Sequence, residues 1–340
     1  MQNTIESDAW AATIAGGDDN IIKASARNAA IGGGGQNTIQ SGAPYASIGG
    51  GWRNNVEVDS GTIAGGVGNR LGPNATAGVI AGGAYNTNAG NSSIIGGGYL
   101  NLVENSANGA VVGGGSGNTI MGDAHDATIG GGASNTNGGL FATVPGGAWN
   151  FAGGLASLAA GYRAKANHDG AFVWADSNPA NFASTAPNEF SVRATGGARV
   201  VTAINNSTGT PLAGVQLAPG SGTWSSLSDR AAKDHVTVVD GRDVLKRLTS
   251  VPIATWNYRT QDDAIRHIGP MAQDFRAAFG VGENDTTITT VDADGVALAA
   301  IQGLHHIVQE KEGEIRELKE AMMELKELVN TLRRERGGGQ

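Results

Sequence analysis

An apolar residue followed six places later by asparagine occurs nine times in the first 150 residues, and this recurrence constrains the fold more than any other feature of the chain. The apolar positions are Ile14, Ile31, Ile48, Ile63, Ile80, Ile95, Val112, Ile129 and Val144; the asparagines are Asn20, Asn37, Asn54, Asn69, Asn86, Asn101, Asn118, Asn135 and Asn150. Two or three small residues, mostly glycine, follow each apolar position. Successive copies lie 15 or 17 residues apart. That period is too short for helical repeats of roughly 33 residues and lacks the collagen triplet, but it suits one coil of a β-solenoid with two short strands. A degenerate tenth copy stands at Leu158, where Gly161 persists and Ala164 replaces the asparagine. Gln2, Asn3, Thr4 and Ile5 repeat Gln36, Asn37, Thr38 and Ile39, so the chain reads as if it begins inside a repeat.

In such a coil glycine supplies the corners, because it reaches positive φ without steric cost, and asparagine is the next most tolerant residue there. The isoleucines stack inward, and ten coils at about 4.7 to 4.8 Å each form a shaft of about 45 Å. The pattern predicts one large buried side chain per coil. That is a thin core for so much ordered backbone, and a homotrimer that shares an axial core is the expected remedy. A calcium-binding roll needs an aspartate in each turn after the glycines, and only Asp18 sits near such a place, so no metal or cofactor is expected. A glycan-cleaving shaft needs two carboxylates across a groove, and no acid pair recurs. Trp52, Tyr85, Tyr99 and Trp149 vary between coils, and rings displayed on a rigid scaffold suit contact with a cell-surface glycan or protein receptor.

Composition divides the chain near Ser228. Residues 1–227 hold 45 of the 55 glycines and 20 charged residues, whereas residues 228–340 hold 10 glycines and 34 charged residues. The first part carries 8 basic against 12 acidic residues and the second 15 against 19, so neither offers the positive field that nucleic-acid phosphates require. There is no cysteine, hence no disulfide and no thiolate metal site. No apolar run approaches the roughly 20 residues that span a bilayer, so no membrane insertion is expected. Residues 171–227 break the period and read as short strands in a neck, with Phe172 to Trp174, Phe190 to Val192, and Val200 with Val201 separated by turn-rich stretches.

At the composition boundary stands Ser-Asp-Arg-Ala-Ala-Lys, with Ser228, Asp229 and Lys233. A serine hydroxyl is a poor nucleophile without a base, and a lysine can be that base if burial lowers its pKa. Ser-Lys dyads are a known variant of the serine catalytic unit. Read alone, a serine five residues before a lysine is equally a helix cap and a surface lysine. Further on, Ile301, Val308, Ile315, Met322 and Val329 fall at one heptad position, and Leu304, Lys311, Leu318, Leu325 and Leu332 at the other, which predicts a coiled coil. β-Branched residues at the first position with leucine at the second favour dimers in simple parallel zippers, but Met322 and Lys311 weaken that code.

Two resemblances sharpen these expectations. The runs ATIGGGASN, SIIGGGYLN and ASIGGGWRN resemble the head repeats of trimeric autotransporter adhesins and related phage fibre modules, which are left-handed parallel β-rolls in trimers; adhesin heads more often show serine and alanine where this chain has glycine. SDRAAKDHV, PIATWNYR, HIGPMAQDF and DGVALAAIQGL, in that order and followed by a charged helix, resemble the intramolecular chaperone of endosialidases and phage tail fibres over residues 228–335. That resemblance implies a trimeric fibre whose chaperone cuts itself off, with Ser228 as nucleophile, Lys233 as base, Leu227-Ser228 as the scissile bond and Asp229 in support. Members often have arginine three places after the serine, where this chain has Ala231, with Arg230 one place earlier. His267 is a second catalytic candidate, though a role in ordering the His-Ile-Gly turn explains it better.

The expected architecture is therefore a mainly β N-terminal part, a trimeric parallel β-roll or β-solenoid over 1–165, a β-rich neck over 166–227, an α+β chaperone over 228–300 and a trimeric coiled coil over 301–335. The expected function is a tail-fibre or adhesin-like fibre on a virion or bacterial surface, whose chaperone drives trimerisation, acts once on itself as a serine peptidase, and cleaves no external substrate. The competing reading is a structural fibre in which the last domain stays attached as a non-cleaving trimerisation clamp.

Overall fold

The computed structural model describes residues 2–337. The chain forms two units, residues 1–198 with 217–223, and residues 199–216 with 224–340. The first is a parallel β-solenoid. Short strands, mostly of two residues, stack in two columns: twelve run from Thr4–Ile5 to Phe182–Ala183, and twelve from Thr13–Ile14 to Phe190–Arg193, with Gly147–Ala148 paired beside the second. The register is strict, Ile22 against Ile39 in one column and Ile31 against Ile48 in the other. A third line of single parallel bridges runs through Asp18, Gly35, Trp52, Val67, Ala84, Tyr99, Ser116, Ala133 and Ala148.

The apolar positions of the repeat point inward: Ile31, Ile48, Ile63, Ile80, Ile95, Val112, Ile129 and Val144 are all buried, and Ile14 is partly so. The expectation of one large side chain per coil falls short. The other column also turns its second residue inward, burying Ile22, Ile39, Val56, Leu71, Val103 and Ile120. Two such side chains per coil contribute roughly 3 to 6 kcal/mol. The solenoid thus has a core of its own, and the thin-core argument for three chains loses its footing.

The two coil lengths have a packing cause. In the longer coils nine residues separate the inward positions of the two columns, as from Ile22 to Ile31, and the corner adds inward alanines such as Ala26 and Ala29. In shorter coils seven residues separate them, and Asn88 or Asn137 can take the inward place. Asn88 Nδ2 donates to the Ser93 carbonyl at 2.9 Å, and Asn137 Nδ2 to that of Ala142 at 2.8 Å, so each amide laces its own corner.

The repeat asparagines do not occupy left-handed backbone, contrary to expectation. The residue before each one does, whatever its type: Gln36, Arg53, Tyr85, Leu100, Ser134 and Trp149 all have φ between 53° and 60°. The asparagines instead form a buried hydrogen-bond ladder. Asn118 is representative: its backbone N–H and Nδ2 donate to Asn101 Oδ1 at 3.0 and 3.2 Å, and Nδ2 also donates to the carbonyls of Gly114 and Gly132 at 2.9 and 3.0 Å. Its own Oδ1 accepts the backbone and side-chain N–H groups of Asn135 at 3.1 Å. At the degenerate copy the ladder ends, with Ala164 N–H donating to Asn150 Oδ1 at 2.9 Å. The glycine three before each asparagine is required by close approach as well as conformation: at Gly51, φ is 90° and a Cβ would lie 2.1 Å from the Gly66 carbonyl oxygen.

The ladder of coils does not stop at residue 165, where the repeat signature fades. Ala164–Ala166, Phe172–Ala175, Phe182–Ala183 and Phe190–Arg193 continue the two columns, with Ala164, Ala166, Val173 and Ala175 buried inside. Arg193 holds the last turn: Nε pairs with Asp176 Oδ1 at 2.7 Å, while Nη1 and Nη2 donate to the carbonyls of Ala180 and Asn178. Thr195 donates from its hydroxyl and N–H to Asp176, holding that carboxyl far below its ordinary range, with Arg193 assisting.

The second unit begins with a three-stranded sheet of Ala198–Ile204, Pro211–Leu217 and Trp224–Ser226, in that order. After a one-turn 3-10 helix come α1 (Gly241–Leu248), the antiparallel pair Ala254–Trp256 and His267–Gly269, α2 (Ala272–Phe279) and α3 (Thr290–Gly337). Asp240 caps α1 by accepting from Arg242 N–H at 2.9 Å, and Gly280 ends α2 at φ 66°. α1 crosses α3 at two glycines: a Cβ on Gly303 would stand 2.2 Å from the Gly241 carbonyl oxygen. Arg242 pairs with Glu310 on α3, which raises the guanidinium's pKa. With 48 residues, α3 is about 72 Å long. Its apolar seam is bare, as Ile301, Leu304, Val308, Ile315, Leu318, Met322, Leu325, Val329 and Leu332 are all exposed. The only buried apolar side chains described in this unit are Val251, Phe275, Ala299 and Ala300.

Candidate functional site

The strand Trp224–Ser226 leads into Leu227, whose N–H donates to the Gly214 carbonyl at 3.1 Å. Ser228 follows, and Asp229 then turns the chain. Its carboxylate accepts the Ala231 N–H at 3.0 Å and caps the 3-10 turn Arg230–Ala232, which Lys233 closes by donating its N–H to the Arg230 carbonyl at 3.2 Å. The reversal returns the lysine side chain to its start, and Lys233 Nζ lies 2.7 Å from Ser228 Oγ. A five-residue spacing that means nothing in an extended chain becomes a contact because one tight turn fits inside it.

Ser228, Asp229 and Lys233 are exposed in the single chain. Beside them is an open groove of about 380 Å³ lined by Val201, Gly214, Gln216, Leu227, Ser228 and Asp229, among others. The bond between Leu227 and Ser228 thus borders a space large enough for several water molecules or a segment of another chain.

His267 lies elsewhere in the unit. Its Nε2 is 2.9 Å from Gln261 Oε1, and its ring packs 4.8 Å from Trp256 and 5.6 Å from Tyr258, centroid to centroid. Among the described residues no hydrogen bond joins it to Ser228 or Lys233; it lies in the strand pair, opposite Trp256. The sequence reading passed over Gln261, and it passed over Trp256 as a polar group: the indole N–H is buried without a partner. The motif Thr-Trp-Asn-Tyr held the signal, since a buried tryptophan ordinarily finds an acceptor.

Residues 228–281 match the model of a peptidase family described as the chaperone of endosialidase. The stretch that follows the β-solenoid and its neck is therefore similar to an endosialidase-type chaperone, and the match opens on Ser228, the residue where the composition changes. The family model ends at residue 281, short of the expected reach to 335. No curated protein matches the chain. Among the described residues, no helix is long and apolar enough to cross a membrane.

Proposed function

We propose that this chain is a homotrimeric fibre protein of the tail-fibre or adhesin type, displayed on a virion or cell surface for receptor contact, whose chaperone guides assembly and then releases itself. The contact between Lys233 Nζ and Ser228 Oγ, 2.7 Å, carries the reading. A neutral Lys233 takes the Oγ proton as Ser228 attacks the Leu227 carbonyl carbon. The tetrahedral intermediate then collapses, the C–N bond breaks, and the proton passes to the departing Ser228 nitrogen. Leu227 is left as an ester on Oγ. Water hydrolyses that ester, leaving a Leu227 carboxylate and a new N-terminus at Ser228. Asp229 contributes by holding the turn.

Timing follows from exposure. A lysine acts as base only when neutral, and burial is the ordinary means of making it so. In the single chain nothing covers the dyad, while the bare seam of α3 and the sparse core of the second unit call for further copies. Assembly of three chains would bury both, so cutting follows trimerisation and makes it irreversible. Three copies rather than two accord with the family resemblance and with Lys311 in the seam.

Gel electrophoresis tests the reading. The purified chain should run as fragments of about two thirds and one third of its length, with Ser228→Ala and Lys233→Met intact and trimeric. An intact, trimeric parent chain would instead support the retained clamp, and cleavage that persists in Ser228→Ala would remove the dyad.

A further inference from the structure

One corner of the solenoid concentrates positive charge with no ion-pair partner among the described residues. The parallel pairing of Gly147–Ala148 with Gly161–Tyr162 sets Ala148 opposite Tyr162, and the next residue, Arg163, donates its N–H to the Ala148 carbonyl at 3.0 Å. Trp149 and Arg163 both have left-handed backbone, with φ of 60° and 62°. The guanidinium carbon stands 5.8 Å from the centre of the Trp149 ring and 5.5 Å from that of Tyr162. Lys165 reaches the same corner, with Nζ 2.6 Å from the Trp149 carbonyl oxygen.

Neither cation has an ion-pair partner among the described residues. Arg163 Nε is buried without a hydrogen-bond partner. Lys165 has its pKa lowered by burial, and then by the like charge of Arg163. The nearby Asp176 is committed to Arg193 and Thr195. Two other arginines of the shaft have polar partners: Arg53, over Trp52, donates from Nε to Gln36 at 2.7 Å, and Arg70 pairs with Glu57 at 2.7 Å; Arg27 lies over Trp10 with no second cation beside it. Two unpaired cations held together on a part of the chain with more acidic than basic residues cost free energy, which a bound anion would recover. The indole beside them is 51% exposed and offers a flat apolar face.

We propose that Trp149, Tyr162, Arg163 and Lys165 form a binding site for an acidic sugar, a pyranose that carries a carboxylate. Such a ring presents an apolar C–H face to the indole, and at its edge a carboxylate that the guanidinium accepts with two parallel hydrogen bonds. An acidic peptide offers the same charge on a flexible stem and loses more conformational entropy on binding. The site names a ligand for the receptor-contact role proposed above. Its test reads binding directly, so the outcome at the Ser-Lys dyad does not bear on it.

The test is isothermal titration of the full chain with tetragalacturonate, maltotetraose and a tetraglutamate peptide. Tetragalacturonate should bind, with the neutral sugar and the peptide at least about tenfold weaker. Arg163→Gln with Lys165→Met, and separately Trp149→Asn, which suits the left-handed backbone, should each lose about tenfold or more with melting unchanged. If the double variant melts early, Lys165→Met alone carries the test with the same expected direction. Absence of tetragalacturonate binding, equal binding of maltotetraose, or preference for the peptide overturns the proposal. Unchanged affinity in the variants also overturns it while leaving receptor contact elsewhere on the shaft. A shift in sedimentation of the charge variants overturns it too, since the corner would then face another copy.

Discussion

Removing one rung of the asparagine ladder should be costly out of proportion to the atoms removed. In Asn118→Ala the Asn135 backbone N–H, fully buried, loses the oxygen it donates to at 3.1 Å, and the Gly114 carbonyl loses its donor at 2.9 Å. The Gly132 carbonyl keeps the Ser116 N–H, so it is not orphaned. One buried orphan donor costs about 1 to 3 kcal/mol, and the Gly114 carbonyl and the lost Asn135 Nδ2 bond add about 1 each, for roughly 3 to 5 kcal/mol in all, since the remaining groups keep other partners. Guanidinium unfolding followed by far-ultraviolet circular dichroism should show the midpoint falling with little change in slope. The sharper control is Asn118→Asp, which keeps the shape but turns an oxygen toward Asn101 Oδ1 and the two glycine carbonyls. It should destabilise more than alanine near neutral pH and recover in part as acid protonates it. A cost below about 1 kcal/mol for alanine, or an aspartate no worse than alanine, would refute the ladder as a source of stability.

Gly51→Ala should destabilise by several kcal/mol, about as much as a core truncation, because its Cβ would meet backbone 2.1 Å away at a φ of 90°; a melting temperature within a degree or two of the parent would contradict that packing. At the C-terminal end of the solenoid, Ser191 and the N–H groups of Thr185 and Ala186 lower the Glu189 pKa to about 2, and Asp176 is lowered further. Depressed carboxylates stabilise the fold above their ordinary pKa and lose that contribution as pH falls toward their folded values. Melting temperature should therefore hold from pH 7 to about 5 and decline from about 4 toward 2, and Glu189→Gln should flatten part of the decline; an identical acid profile would rule out Glu189 as a contributor. Leu318→Lys places a charge in the exposed seam of α3 and should lower the oligomer's sedimentation coefficient, whereas an unchanged coefficient would show that α3 assembles through another face.

The sequence made one column of the solenoid legible because Ile, Gly and Asn recur there in fixed register. The second column was hidden, since its inward place passes from Ile22 to Val56, Leu71, Asn88, Val103 and Ala152, and interruptions by an amide or a methyl group break the apolar period. The role of asparagine was misread for a related reason. Intrinsic tolerance of left-handed backbone is a local property, whereas the ladder pairs residues 15 or 17 apart, and the left-handed place next door accepts tyrosine, leucine or arginine and so leaves no compositional trace. Beyond residue 165 the coils persist on buried alanines, which carry little signal in a chain already rich in small residues. At the candidate site, the approach of Lys233 to Ser228 follows from a turn encoded within six residues. On the proposed assembly the cover for the dyad would come from other copies, and one sequence read alone is silent about it.

The outward position before each ladder asparagine separates display from scaffold. Its occupants include Gln36, Arg53, Tyr85, Leu100, Ser134 and Trp149, all in the same backbone conformation, while the neighbouring asparagine in every case donates its N–H to the preceding asparagine and its Nδ2 to a glycine carbonyl of the next coil. The shaft therefore works as a pegboard with holes about 4.8 Å apart: one peg can be exchanged for another at the cost of a single side chain's comfort, and the board does not register the change. A fibre built this way can alter what it touches in steps of one residue, without renegotiating how it folds.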